Sequence, residues 1–83
     1  MWTVNVYSEA IKKLAKIQPE ERERILRAIY RLRDNPFGKD VVPLRDRPGW
    51  RLRVGRWRVL MTIDKEAKVI NVLAIGPRGD VYK

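Results

Sequence analysis

The feature that most constrains this chain is the run from Gly49 to Ile63, where apolar and basic residues alternate on either side of a short glycine-containing link. A period of two marks a strand with one face in a core and the other in water. Trp50, Leu52 and Val54 share one parity, and Arg51 and Arg53 the other. Beyond Gly55-Arg56, the residues Trp57, Val59, Met61 and Ile63 hold the apolar parity, with Arg56 and Arg58 opposed to it. Two such strands on so short a connection pair antiparallel. The pair then gathers several guanidiniums on one uncovered face. Like charges that close repel, and a chain shaped by folding alone would more often mix signs there. The cost points to a polyanionic ligand.

The flanking segments supply what covers the apolar face. Residues 2–7 alternate and read as a strand. Ser8 is placed to cap a short helix with apolar positions Ile11, Leu14 and Ala15. Pro19 suits a first helical turn, and Glu20, Glu21 and Glu23 suit its positive dipole end. That second helix extends to about Arg33, with Ile25, Ala28, Ile29 and Leu32 at helical spacing, and residues 34–38 (DNPFG) stop it. Residues 39–48 read as a loop or a short extended segment holding Pro43 and Pro48. After Ile63 a turn at residues 64–67 leads into a last apolar strand over 68–75, which Gly76-Pro77 breaks. The expected class is α+β in the order β-α-α-β-β-β, with both helices on one face of an antiparallel sheet. At 83 residues, one domain over 1–83 is expected.

Composition narrows the chemistry. Nineteen Lys and Arg against ten Asp and Glu give a formal charge of +9. Such an excess fits RNA, DNA, an acidic protein or an anionic membrane surface, and charge alone does not choose among them. The chain has no Cys and no His, which removes disulfides, thiolate metal sites and the commonest general base. Asp64, Glu66 and Asp80 do not make a convincing carboxylate metal set, so neither a metal nor a small-molecule cofactor is expected. Apolar runs reach about four residues against the roughly 20 of a spanning helix, and residues 1–4 (MWTV) do not resemble a signal peptide. A cytoplasmic location without membrane contact is expected.

Three stretches in order resemble the RelE/ParE toxin superfamily. Residues 49–60 (GWRLRVGRWRVL) resemble its core pattern: an aromatic, basic-x-basic, Gly, an aromatic, then Arg-Val. Residues 75–82 (IGPRGDVY) resemble its closing motif, an Arg shortly before Val-Tyr, and residues 7–14 (YSEAIKKL) resemble its opening. The likeness spans nearly the whole chain. It implies a microbial-ribonuclease-like α+β fold and a toxin of a type II toxin–antitoxin system that cuts mRNA on the ribosome by 2′-OH transesterification.

Carried over by position, the resemblance implies catalytic roles for Arg51, Arg53, Arg58, Arg78 and Tyr82. Arg58 and Arg78 would hold the phosphate, Arg51 and Arg53 the backbone. Tyr82 would stack on a base or move a proton. Arg45, Arg47, Arg56 and Lys83 are the further positions expected on RNA. Pro77 stands where many members carry a histidine, and arginine is a poor general base, so weak activity on free RNA is expected. Implied partners are a cognate antitoxin, the ribosome and mRNA. The alternatives are a ParE-like toxin that acts on DNA gyrase without nuclease activity, or an inactive RNA- or antitoxin-binding domain. Trp50 and Trp57 are expected to pack and not to stack on bases. Lys12, Lys13, Lys16, Arg22, Arg24, Arg27, Arg31 and Arg33 are expected on exposed helix faces, with ribosomal RNA contact as the sharper alternative.

Overall fold

The computed structural model describes residues 1–77. Its elements are β1 (Thr3–Val6), α1 (Ser8–Ala15), α2 (Pro19–Arg31), β2 (Val41–Pro43), β3 (Trp50–Val54), β4 (Trp57–Asp64) and β5 (Val69–Pro77). The strands form one sheet in the order β1-β5-β4-β3-β2. β2, β3, β4 and β5 pair antiparallel in sequence, whereas β1 joins parallel to β5, so the sheet is mixed. Alternation reports which face of a strand is buried; it does not report which strand lies alongside or in which direction. The short segment after α2 is a true edge strand, with Val41 opposite Leu52 and Val42 opposite Arg51.

The two helices cover one face. Ile25, Ile29 and Leu32 from the second helical segment meet Leu52, Val59, Met61, Ile70, Val72 and Ile75 in the core, joined by Ala10, Leu14 and Ile17. Ile25, Val59, Met61, Ile70 and Val72 are fully buried, each worth about 1.5–3 kcal/mol relative to exposure. On α1 the buried stripe is Ala10 and Leu14, whereas Ile11 is 55% exposed. The small Ala10 lets the helix lie close to β5, and this turns Ile11 outward. Tyr7, not Ser8, occupies the N-cap position, and no side chain caps that end. The α1–α2 corner is closed by Arg22, whose Nη2 donates to the Ile17 carbonyl at 3.0 Å.

Two backbone devices keep the sheet in register. Gly55 has φ +59° in the two-residue link between Val54 and Trp57, which are cross-strand partners. A positive φ at the first linking residue is the requirement of a type II′ hairpin, and glycine meets it without steric cost. In the β4–β5 ladder, Leu60 pairs with Ala74 but Met61 pairs with Val72. Leu73 is therefore the extra residue of a β-bulge. The slip lets Ile75, Val72 and Ile70 all stay on the core face, although their spacing breaks strict alternation. The strand also continues through Gly76 to Pro77 instead of stopping before them.

Candidate nucleic-acid interface

The face that the helices leave open is built by the pairing register. Arg53 lies directly opposite Arg58, and Arg51 opposite Leu60. Cross-strand partners share a face, so Arg51, Arg53 and Arg58 stand on one side, with diagonal neighbours roughly 7–8 Å apart. Further along, the same face turns neutral. Asn5 donates to Asn71 at 3.2 Å, and Asn71 donates to the Thr62 hydroxyl at 3.2 Å. The open face thus has a basic half on β3 and β4 and an amide–hydroxyl half on β4, β5 and β1.

Burial grades the three arginines. Arg53 is exposed, Arg51 half-buried and Arg58 only 7% exposed. Its Nη1 donates to the Trp57 carbonyl at 3.4 Å. Gly76 faces Arg58 across the β4–β5 ladder, so no neighbouring side chain on β5 competes for that space. A guanidinium held this far from water, in a fixed orientation, acts more strongly on an adjacent charge than an exposed one does.

Arg45 and Arg47 lie on the β2–β3 connection. They line a cleft of roughly 620 Å³ with Arg51, Val42 and Leu44, and Asp46 supplies one acidic group there. The loop thus lengthens the basic surface beyond the sheet. Gly49, at φ +124°, ends it and returns the chain to β3.

Arg56 goes elsewhere. It lies in the hairpin link, where alternation no longer sets direction. Its Nε and Nη2 donate to the two Glu21 carboxylate oxygens at 3.1 and 3.0 Å, a bidentate pair between the hairpin and α2. Its guanidinium also lies 5.2 Å from the Trp57 ring centroid, and Trp57 Nε1 donates to the same carboxylate. The hydrogen bond from Arg56, then the one from Trp57, holds the Glu21 carboxyl below the ordinary carboxylate range, and the pairing raises Arg56. Arg56 is therefore not on the open face that the alternation placed it on. Trp57 and Trp50 are half-buried and pack against the core, Trp50 edge-on to Phe37 at 5.6 Å. Arg78, Tyr82 and Lys83 lie outside the described residues.

Sequence reasoning missed the Glu21 clasp. Its only signal was a carboxylate in the first turn of α2 and a basic residue in the hairpin link, which are 35 positions apart. It also left the helix arginines as an undivided exposed set. Among the described residues no group of three or more Asp or Glu could hold a metal ion. No helix among them is long and apolar enough to cross a membrane.

Two helices behind one face of a five-stranded mixed sheet are the fold of the RelE/ParE superfamily, and the family match places the chain in it. Within it, the chain belongs to the family described as ParE toxin of type II toxin–antitoxin system, parDE, whose profile matches residues 4–82. Among solved structures, the chain resembles one from the archaeal RelE–RelB complex of Pyrococcus horikoshii OT3, with 26% identity and a TM-score of 0.84 over 95% of this chain and 97% of that one. A chain of the RelBE2 toxin–antitoxin complex of Mycobacterium tuberculosis is similar at 25% identity and a TM-score of 0.82, covering 93% and 98%. The isolated RelE toxin of E. coli shares the fold at 20% identity and a TM-score of 0.77, over 99% and 92%. No curated protein sequence matches this chain.

Proposed function

We propose that this toxin cleaves mRNA on the ribosome, using arginines where other ribonucleases use histidine. The observation that carries the reading is the group of Arg51, Arg53 and Arg58 on the open sheet face, with Arg58 withdrawn from water. In transesterification the ribose 2′-OH gives up its proton, its oxygen bonds to phosphorus as the bond to the 5′-oxygen breaks, and the 5′-oxygen takes up a proton, leaving a 2′,3′-cyclic phosphate and a 5′-hydroxyl. Negative charge on the phosphoryl oxygens rises on the way. Arginine forks that meet that charge in place stabilise it. Arg58 and Arg78 are assigned to the phosphate, Arg51 and Arg53 to the adjoining backbone, and Arg45, Arg47 and Lys83 to flanking RNA. Tyr82 stacks on a base or moves a proton. Arg56, clasped to Glu21, has a structural role in this scheme. The ribosome supplies the positioning that a site without an ordinary base lacks. The partner that silences the toxin is a cognate antitoxin, as in the RelE–RelB complexes it resembles.

The test is cell-free translation with mRNA 5′ ends mapped. Wild type yields cuts in phase with codons. Arg58→Ala lowers the cutting rate by about 10²–10³-fold, the usual loss when one charge-stabilising donor is removed, and Arg78→Ala acts in the same direction. Unchanged cutting by both variants defeats the proposal. The ParE profile favours a second reading, a poison of DNA gyrase; intact mRNA together with double-strand DNA breaks would establish it.

A further inference from the structure

We infer that a cleft between α2 and the end of β3 is a second phosphate-binding surface, one that grips the backbone of structured RNA apart from the strand being cut. The inference takes RNA as partner from the reading above, but it requires no cleavage.

Arg24, Arg27 and Arg31 recur at i, i+3 and i+7, which aligns them on one face of α2. Ile25 and Ile29 hold the opposite face in the core, so the row stays in water. Seven residues of helix rise roughly 10 Å, enough to follow about two or three successive phosphates. Arg53 completes the group from β3, and the four guanidinium-bearing residues line one cleft of roughly 290 Å³ with Asp40. The cleft abuts the hairpin link. A Cβ added to Gly55 would stand 3.5 Å from Arg24 Nη2, so the Arg24 guanidinium lies over this glycine. Glu21 is taken up by Arg56, and of the four only Arg24 also acts on it, through space. Like charges at these helical spacings destabilise the helix unless an anion joins them.

The lining selects the kind of anion. Ala28 and Val54 are its apolar members, too little for the aromatic and aliphatic anchors that protein interfaces use. Phosphate recognition needs only the forks. A protein would find its apolar anchors at the other sheet edge instead, where Trp2, Val4, Val6, Leu26 and Tyr30 line a groove beside β1. Arg53 stands on the open face opposite Arg58 and also lines this cleft, so it joins the two surfaces at the end of β3, and the α2 arginines carry phosphate contacts beyond those of the strand being cut.

The experiment measures binding of the full chain to an RNA hairpin with a long duplex stem over a series of KCl concentrations. In Arg27→Gln/Arg31→Gln, where glutamine preserves helix propensity, the slope of log affinity against log salt falls by about two, near one per lost phosphate contact. Affinity at low salt falls by about 10-fold or more. Lys12→Gln/Lys16→Gln, which removes the same charge from α1, changes the slope by less than half as much. Equal loss in both variants overturns the site, because bulk charge then suffices. So does an unchanged slope in an α2 variant whose circular dichroism is native. Lost affinity for a poly-glutamate peptide with hairpin affinity intact overturns it in favour of an acidic protein. A wild type that shows the α2-dependent slope but cuts no message keeps this site and removes the nuclease reading. A wild type that cuts messages without that slope does the reverse.

Discussion

At the scale of single residues, two positions show how local chemistry holds the hairpin. Glu21 receives Arg56 and Trp57 together, and its carboxyl lies below the ordinary range of about 4.5. A depressed carboxylate pKa adds stability that is fully present above the unfolded value and is lost as pH falls through the folded one. The wild-type thermal midpoint is therefore expected to drop as pH is taken below about 4.5, and Glu21→Gln to show a smaller drop over that interval; parallel curves would remove the clasp from the account. Gly55 is the second position. At φ +59° an L side chain is strained, and Gly55→Ala is expected to cost about 1–2 kcal/mol in urea unfolding. The arginines of the open face were readable because strand parity assigns each to a side. Arg56 was not, because parity ends where the strand ends.

At the scale of elements, the amphipathic pattern of α2 translated directly into packing, since a 13-residue helix offers enough turns to define one stripe. The eight residues of α1 do not. Ile11, Leu14 and Ala15 make as plausible a stripe as Ala10, Leu14 and Ile17, and the small side chain of Ala10 decides in favour of the second by permitting close approach to β5. Ile25→Ala is expected to cost about 2–5 kcal/mol by leaving a cavity, whereas Ile11→Ala is expected to stay within about 0.5 kcal/mol of wild type. Urea midpoints of the two variants check the assignment. The last strand was harder to read than the hairpin for a related reason. Its bulge at Leu73 inserts a residue that periodicity alone cannot distinguish from a loss of pattern.

At the scale of the whole molecule, a formal charge of +9 on 83 residues means that repulsion opposes the fold throughout. Screening relieves it, so the thermal midpoint of the free protein is expected to rise as KCl is increased from low concentration; a falling midpoint would place the dominant electrostatics in attractive pairs instead. The amino-acid order by itself determined the helices, the β3–β4 hairpin and the side of the sheet that carries charge, because these depend on periods of two and of 3.6 within a single segment. Only the tertiary structure decided the parallel docking of β1 on β5, the slip at Leu73, the capture of Arg56 by Glu21 and the meeting of Arg53 with the α2 arginines. Three of these join residues far apart in the chain, and the slip lies between neighbouring strands; all four depend on how closely whole elements approach, and no local pattern records that distance.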